Sequence, residues 1–275
     1  MRKIEVAVLH EAHDSPAGMM LFLAKLTQRG HKITDMATLK GLYDDCCHAK
    51  QDDKVSFGTL AGIANLPHGT IKRFAPITIA IVGASRRFLA QARTNQVGIN
   101  YVSASLQYSD YSGGADFVVP YAITKYDIEQ GFKYSGPLTR LYLMSCEDAM
   151  GHYKSIAEAT DNDTAGYAAP QGLRNILIMQ ANHESWSYFI RLRACNRNTN
   201  ETQFVTCRIW EELLKTADGQ EMFNWAGPDC CFGKCREGKM SCGKPLRQIS
   251  DDMDFADGKP LPSVILDRQW PLLRR

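Results

Sequence analysis

Residues 225–245 (WAGPDCCFGKCREGKMSCGKP) constrain the fold most, because they crowd four cysteines among backbone-breaking prolines and glycines. One interpretation is a zinc site, since soft thiolates at short spacing suit that ion. The other is a compact tail fixed by glycine turns, in which reduced thiols act as small apolar side chains. Paired C-x-x-C hooks are the usual zinc signature, but the gaps between Cys230, Cys235 and Cys242 are wider and irregular. We therefore favour the second interpretation and predict no metal site.

The composition is that of an ordinary globular protein and argues against two classes of partner. The 275 residues are 44% hydrophobic and 23% charged, and the net charge of +2 implies no strong field for nucleic acid. No apolar run approaches the roughly 20 residues of a membrane helix. Met1-Arg2-Lys3 leads straight into a strand-like segment rather than a signal peptide. We predict a cytoplasmic protein with free thiols that binds neither nucleic acid nor membrane.

Apolar patterning predicts an α+β fold in which strands and helices alternate irregularly. Residues 4–9 and 77–82 are rich in apolar and β-branched side chains, as in strands, and residues 176–181 form a further apolar run. Helical patterns cover residues 15–30, 33–47, 85–92, 138–160, 186–193 and 204–214. Residues 97–108 tend toward extended structure, and residues 52–56 toward a loop. In the long helix, the side chains expected to face the core are Leu143, Met144, Ala149 and Ile156.

A cluster of arginines in residues 189–197 (FIRLRACNR) is the best candidate for anion binding. On a helix, Arg193 and Arg197 would share a face, because they are four residues apart. Guanidinium forks bind phosphate or carboxylate in a bidentate way. The alternative is a surface helix paired with one of the carboxylates of Glu201, Glu211 or Glu212. The cluster alone does not decide between them, and the common glycine-rich phosphate-binding motifs are absent.

Several segments, in the same order along the chain, resemble the flavin-dependent thymidylate synthases, the ThyX family. Residues 226–245 are similar to the Cys-rich tail of one branch of that family, and residues 192–197 (LRACNR) to its Leu-Arg segment. Residues 77–91 (ITIAIVGASRRFLAQ) resemble the family's strand-to-helix entry. Ser105-Leu106-Gln107-Tyr108 falls where the family has Ser-x-Arg-Tyr. The resemblance covers residues 68–245 well and the first 67 residues loosely.

The resemblance implies a fold, a reaction and a set of ligands. The fold is a central, twisted, mainly antiparallel sheet flanked by helices, with one domain over residues 1–245 and a C-terminal tail over residues 246–275. The reaction is the reductive C5-methylation of dUMP, with methylenetetrahydrofolate as carbon donor, FAD as the flavin and NADPH as reductant. The family assembles as a homotetramer with sites at subunit interfaces. A hetero-oligomer with an intact ThyX subunit is an alternative.

Family roles carry over to individual positions of this sequence. Ser105 and Arg193 are the expected catalytic residues. The residues expected to hold the nucleotide are Gln91, Ser105, Gln107, Tyr108 and Arg193. Those expected to hold the flavin are His68, Thr70, Asn95, Asn182 and Arg197.

The chain departs from the family pattern in one direction, toward fewer positive charges. The Arg-His-Arg hallmark is replaced by Thr94-Asn95-Gln96, and a register shifted by one residue would make Arg93 its first arginine. Two more arginines of the family pattern fall on Gln107 and Gly166, and a Glu-His pair falls on Arg73-Phe74. A hydrogen bond to a charged group contributes about 1.5–3 kcal/mol, so ligand affinity is expected to fall. The nearby cations that would compensate are Lys72, Arg73, Arg86 and Arg87.

Three functional hypotheses follow from the resemblance and these departures. The first is the standard methylation of dUMP in a reshaped site. The second is a C5-modifying enzyme that acts on another pyrimidine, such as an uncharged nucleoside. The third is a non-catalytic paralogue that serves as a binding or assembly subunit.

Overall fold

The computed structural model of the protein describes residues 3–11, 15–29, 33, 35–47, 72–74, 76–133, 135–246 and 259–271. Within these residues there are four strands: β1 (Glu5–Glu11), β2 (Pro76–Ser85), β3 (Ile99–Ser103) and β4 (Arg174–Asn182). The helices are α1 (Pro16–Arg29), α2 (Met36–Cys47), α3 (Arg86–Ala92), α4 (Tyr121–Glu129), α5 (Pro137–Ala159), α6 (Asn162–Ala165), α7 (His183–Arg193), α8 (Asn200–Leu213), α9 (Gly219–Phe223), α10 (Asp229–Phe232) and α11 (Leu261–Gln269).

The predicted strands correspond to β1, β2 and β4, and the predicted helices to α1, α2, α3, α5, α7 and α8. The extended segment expected over residues 97–108 is shorter than predicted, because β3 ends at Ser103 and a turn follows. The loop predicted at residues 52–56 lies outside the described residues. In the part of the chain that the structure describes, no helix is both long and apolar enough to cross a membrane.

The four strands form one antiparallel sheet in the order β1-β2-β4-β3. In the central pair, Ile79 lies opposite Met179 and Ile81 opposite Leu177, and all four side chains are buried. Because side chains alternate along a strand, these odd-numbered positions form a single face, against which α8 packs. The predicted α+β fold, with an antiparallel sheet flanked by helices, is confirmed.

A β-bulge at Gly83 directs β2 into α3. The pairing of β2 with β4 shifts between Val82 and Ala84, and Gly83 has a φ of +85°, which favours glycine. A β-carbon at Gly83 would lie 2.6 Å from Nη1 of Arg174, so a larger residue would also displace that arginine. Beyond the bulge, the Ser85 hydroxyl accepts a hydrogen bond from the Phe88 amide (3.1 Å) and caps α3. This turn fixes the direction of the helix that carries Gln91 and the residues after it.

The core is built largely on α8, which is buried around most of its circumference. The Trp210 ring is fully enclosed, and its indole Nε1 donates to the Phe223 carbonyl (2.8 Å). Trp270, directly after α11, packs edge-on against Tyr121 and Phe204, with centroid distances of 4.7 and 6.4 Å. Residues 261–270 therefore contribute to the same core, while the domain boundary after residue 245 remains a prediction.

The cysteine-rich segment packs as a compact, turn-rich tail. Cys230 and Cys231 are buried in α10, and the Leu246 amide donates to the Cys230 sulfur (3.5 Å). All nine cysteines are free thiols. Among the described residues, no group of three or more His, Cys, Asp or Glu side chains is arranged to hold a metal ion. The buried thiols occupy the positions of small apolar side chains, as the second interpretation expected.

The buried face of α5 differs from the prediction. Met144 was expected to face the core but is 60% exposed, and Leu143, Ala149 and Ile156 are only half-buried. The buried positions are Thr139, Cys146 and Tyr153. These three are spaced seven residues apart, which is two helical turns, so they form one stripe along the helix. The apolar residues expected to face the core lie beside that stripe rather than on it.

Asp127 joins α4 to the start of α5, and its substitution is expected to have a pH-dependent effect. Its carboxylate is 2% exposed and accepts from the backbone amides of Gly136 (3.1 Å), Leu138 (3.2 Å) and Thr139 (2.8 Å). Burial alone would raise the pKa of Asp127, but the hydrogen bonds to Thr139, Leu138 and Gly136 outweigh it and lower the pKa. A lowered pKa gives stability that is present above the carboxyl's unfolded pKa and is lost as pH falls through the folded one.

We expect Asp127→Asn to unfold at a lower temperature than the wild type at pH 7. The difference should begin to shrink as pH falls below about 4, where the carboxyl of the unfolded wild type becomes protonated, and should be lost as pH passes below the lower pKa of the folded state. Thermal melts followed by circular dichroism from pH 7 to pH 3 measure this difference. Glu147→Gln, an exposed position on α5, is the control and should track the wild type throughout. A constant gap between Asp127→Asn and the wild type at every pH would contradict the explanation.

Candidate functional site

The candidate site is centred on Arg193, the last residue of α7. The helix begins directly after β4, where the Asn182 side-chain oxygen accepts from the Ser185 amide (3.0 Å) and caps it. It then runs for 11 residues and ends at Arg193. Asn198 closes this end, since its amide donates to the Leu192 carbonyl (2.6 Å). The fold thus brings Arg193 to the C-terminal end of α3.

Three neutral side chains hold the Arg193 guanidinium. Nε donates to Oδ1 of Asn95 (2.7 Å), Nη1 donates to Oδ1 of Asn198 (3.3 Å), and Nη2 donates to the hydroxyl of Thr94. Asn95 is only 9% exposed, so its bond to Arg193 lies inside the protein. Burial lowers the pKa of Arg193. Since these acceptors come from two different segments, the orientation of the guanidinium is fixed.

Tyr101 closes the end of α3 beside this arginine. Its hydroxyl lies 2.8 Å from the Ala92 carbonyl and 2.6 Å from the Asn95 carbonyl, to which it donates. Burial raises the pKa of Tyr101 to about 12, although Arg193 and Arg93 both lie close enough to favour its anion. The phenol therefore stays protonated and serves as a donor to the helix end.

A second guanidinium belongs to Arg93, the C-cap residue of α3, and its charge acts on Tyr101, as that of Arg193 does. The Nη2 of Arg93 donates to the hydroxyl of Ser103, at the end of β3, over 2.6 Å. Arg86 lies seven residues earlier, two helical turns away on the same face of α3. Burial lowers the pKa of Arg86, and the positive charge of Arg93 adds to that lowering. Sequence reasoning noted Arg93 only as an alternative register of the hallmark.

The other expected nucleotide-binding residues lie on α3 and in the turn after β3. The side-chain oxygen Oε1 of Gln91 accepts from the hydroxyls of Thr202 (3.1 Å) and Thr199 (3.4 Å) at the start of α8. Ser105 begins the turn after β3, where its hydroxyl accepts from the Gln107 amide (3.1 Å). Tyr108 is 83% exposed at the end of that turn. Gln91 and Arg193 thus meet at one helix end, where the Thr94 hydroxyl donates to the Gln91 backbone carbonyl (2.8 Å) and accepts from Arg193.

The expected flavin-binding residues are less close together. Asn95 contacts Arg193, whereas Asn182 lies at the opposite end of β4 from the turn after β3. Ala104 bonds to Ile176, six residues before Asn182, which corresponds to roughly 20 Å along a strand. Arg197 is exposed. His68 and Thr70 lie outside the described residues.

The expectation that Arg193 and Arg197 share a helical face is wrong. α7 ends at Arg193, with Ala194 as its C-cap, and Arg197 lies in the turn that follows. The alternative of a salt-bridged surface helix is not seen among the described residues either. Glu201 accepts from Ser85, and Glu212 pairs with Lys215.

Comparison with known proteins identifies the family. The profile of Thy1, described as Thymidylate synthase complementing protein, matches residues 9–217, which is most of the chain. This chain belongs to the Thy1 family. The match confirms the resemblance drawn from the sequence motifs.

Relatives of this Thy1 chain carry the name Flavin-dependent thymidylate synthase. The protein of Geobacter sulfurreducens is 26% identical over 186 residues, covering 66% of this chain and 74% of its own. The protein of Thermococcus kodakarensis is 24% identical over 233 residues, covering 81% of this chain and 91% of its own.

Two solved structures share the fold of this chain. One is ThyX from Helicobacter pylori with FAD and dUMP, with a TM-score of 0.57 and 17% identity over 81% of this chain and 98% of that one. The other is the UMP/dUMP methylase PolB from Streptomyces cacaoi bound with 5-Br dUMP. Its TM-score is 0.61, with 14% identity over 82% of this chain and 96% of that one.

The structure shows the neighbours of several positions at which this Thy1 chain departs from the family pattern, and of the cations expected to compensate. A β-carbon at Gly166 would lie 3.2 Å from that of Leu106, so Leu106 covers the place where a longer side chain would begin. Arg73 pairs with Glu184 through Nε and Oε2 (2.8 Å) and so does not add a free charge. Arg87 lies near the Glu201 carboxyl. Of the compensating cations proposed from sequence, Arg86 lies closest to the candidate site, beside Arg93.

A cavity of about 800 Å³ lies at the N-terminal end of α3 and was missed by sequence reasoning. Ser85 and Glu201 form its polar wall, since the Ser85 amide and hydroxyl both donate to the Glu201 carboxylate. Burial raises the pKa of Glu201, against these hydrogen bonds. Thr199 lines the cavity and also donates to Gln91, so it contacts both the cavity and the candidate site. No motif signalled this arrangement, because it joins segments more than 100 residues apart.

Proposed function

We propose that this protein is a methyltransferase of the flavin-dependent thymidylate synthase type, which transfers a one-carbon unit to C5 of dUMP. The observation that carries the proposal is the fixed guanidinium of Arg193, at the position where family resemblance expects a nucleotide-binding arginine. A preorganised cation in a partly desolvated site suits both a phosphate and the charge that develops on a reacting uracil.

The residues around this guanidinium have complementary roles in the proposal. Arg193 binds the nucleotide through its charge, and Ser105 and Gln107 contact it from the turn after β3. Tyr108 supplies an exposed aromatic ring for contact with the base. Gln91 lies on the side of α3 that faces α8 and orients the site through its bonds to Thr199 and Thr202.

Residues of this chain also fit a flavin, which is rich in hydrogen-bond acceptors. The Asn182 oxygen is used by the helix cap, which leaves its amide nitrogen as a donor for a ligand. The Arg197 guanidinium is exposed and suits a pyrophosphate, and Asn95 reaches the site beside Arg193. When bound, FAD supplies the redox chemistry that no side chain can perform. We assign His68 and Thr70 to the same site from the family pattern.

The proposed reaction balances with two co-substrates. Methylenetetrahydrofolate donates the carbon: a C–C bond forms at C5, the two bonds from that carbon to the folate nitrogens break, and the C5 proton is released to water. The folate leaves as tetrahydrofolate after its nitrogens take up protons. Two electrons from NADPH reduce the transferred carbon to a methyl group. The chain holds the nucleotide and excludes water, while the electrons come from the nicotinamide.

Two measurements on the purified protein test this function. We expect flavin absorbance bands, either as isolated or after reconstitution with FAD. We also expect tritium release from dUMP labelled at C5, dependent on methylenetetrahydrofolate and NADPH. Reactions that omit each co-substrate in turn are the controls. A colourless protein that takes up no flavin and releases no tritium would favour the non-catalytic paralogue instead.

A second candidate function is methylation of a related pyrimidine nucleotide such as UMP. The likeness to a UMP/dUMP methylase, with a TM-score of 0.61, favours it. The same assay with UMP in place of dUMP distinguishes the two candidates.

A further inference from the structure

The cavity of about 800 Å³ between α5, the start of α8 and residues 118–121 has no part in the proposed reaction. Pockets that hold small organic ligands measure about 300–1,000 Å³, so this space is large enough for one. The Arg193 guanidinium is held by Thr94 and Asn95 at the other end of α3. The cavity is therefore a second place where this chain can bind a ligand.

Aromatic side chains make the walls of the cavity apolar and hold them in place. Tyr121 and Phe204 both line it, and both pack edge-on against Trp270, with ring-centroid distances of 4.7 and 6.4 Å. Tyr142 also lines it, and its hydroxyl donates to the Val118 carbonyl (2.9 Å). Because the protein itself fixes these rings, the cavity is formed before a ligand enters. Aromatic walls favour a ligand with rings, since aromatic pairs attract one another edge to face.

The acidic group in the cavity is already neutralised by the protein. The Ser85 amide donates to Oε1 of Glu201 (2.7 Å), and the Ser85 hydroxyl donates to Oε2. Burial raises the pKa of Glu201, whereas its bonds to Ser85 and the positive charges of Arg174 and Arg87 oppose the rise. Both carboxylate oxygens thus have donors and two guanidinium groups lie near, so Glu201 does not require a cationic ligand.

The other charged residues of the cavity give it an excess of positive charge. Lys3, Arg87 and Arg174 line it together with Glu201, so three positive charges stand against one negative charge. Lys3 and Arg87 are exposed as well as lining the cavity, which places them at its opening. Charges beside an apolar space are less screened than charges in open water. The opening is therefore suited to a negatively charged group.

We propose that the cavity binds a small organic anion that contains aromatic rings. The rings of the ligand lie against Tyr121 and Phe204, and its charged group lies at the opening beside Lys3 and Arg87. This ligand is not the pyrimidine nucleotide, so the inference goes beyond the proposed function and does not depend on it.

Fluorescence titrations of the full chain with two probes that share an aromatic body test the proposal. One probe is the anion anilinonaphthalene sulfonate, and the other is the uncharged phenylnaphthylamine. We expect the double variant Lys3→Gln/Arg87→Gln to bind the sulfonate about tenfold more weakly than the wild type and to bind the uncharged probe equally well. Arg191→Gln is the control, because Arg191 is exposed over the Tyr188 ring and does not line the cavity. It should bind both probes like the wild type.

A second arm tests whether the probes occupy the cavity itself. Val119→Trp and Ile4→Trp each place a large ring in the cavity from a different wall, and either variant should lose binding of both probes. Two such variants are used so that the test does not depend on one of them folding, which circular dichroism checks. Unchanged sulfonate binding in the double variant, or in a folded cavity-filling variant, would overturn the proposal.

Competition with dUMP separates this inference from the proposed function. We expect dUMP to leave the bound sulfonate in place. Displacement of the sulfonate by dUMP would assign the cavity to the nucleotide and overturn a separate anion site. If the protein binds the sulfonate as expected but binds no dUMP and releases no tritium, the proposed function fails and the cavity site stands.

Discussion

Replacement of Arg193 by alanine is expected to lower kcat/KM for dUMP by about a hundredfold or more. The change removes a cation that donates to the ligand, and each such charged hydrogen bond contributes about 1.5–3 kcal/mol. It also leaves the Asn95 side-chain oxygen, inside the protein, without the donor that now lies 2.7 Å away. Steady-state kinetics across dUMP concentrations, with folded protein confirmed by thermal melts, measure the effect.

The neighbouring arginine of the same helix serves as the matched control. Arg191 is exposed and lies 5.4 Å from the Tyr188 ring centroid, away from the Thr94–Asn95 pair. Arg191→Ala should retain kcat/KM within about threefold. Similar losses in both variants, or activity of Arg193→Ala near that of the wild type, would show that Arg193 has no special role.

Replacement of Trp210 by alanine is expected to cost about 3–5 kcal/mol of the free energy of unfolding. Trp210 is fully buried, and a β-carbon at Gly227 would lie 2.5 Å from its ring, so the ring fills its space closely. Removal leaves a cavity beneath α9 and the cysteine-rich tail, and the Phe223 carbonyl loses its indole donor. Urea unfolding followed by circular dichroism measures the change.

Trp225 is a control of the same residue type in the next segment of the chain. It is 54% exposed and contacts Phe232 at a ring-centroid distance of 5.1 Å. Trp225→Ala should cost less than about 1 kcal/mol, as for most surface substitutions. If the two variants lose equal stability, the core does not depend on Trp210 as described.

The sequence predicted the elements whose apolar pattern is strong and local. β2 and β4 are central strands with continuous apolar runs, and α3 begins at a serine that caps it. The buried face of α5 was not predicted, because Thr139 and Tyr153 carry polar groups that pattern reasoning places outside. Bonds such as that from Tyr142 to the Val118 carbonyl (2.9 Å) determine how this helix sits.

The candidate site was predicted in its parts but not in its arrangement. Family resemblance gave Arg193, Asn95 and Gln91 as separate ligand-binding residues, whereas the structure shows Arg193 bonded directly to Asn95. The two are 98 residues apart in sequence, and no local pattern reports such a contact. The helical face expected for Arg197 failed for a local reason, since α7 ends before it. The replacement of charged hallmark residues by Thr94 and Asn95 is therefore more than a loss of charge. It accompanies a different arrangement of the site, in which these neutral side chains hold Arg193.

The bonds of Arg193 to Thr94 and Asn95 constrain how such a sequence can have evolved. An arginine at position 94 would remove a hydroxyl acceptor of the Arg193 guanidinium and place a further positive charge beside it. Its benefit would depend on what already stood at positions 93 and 95, so the same mutation would be harmful here and useful in a relative. Such dependence, or epistasis, means that the family's hallmark cannot be introduced here one residue at a time.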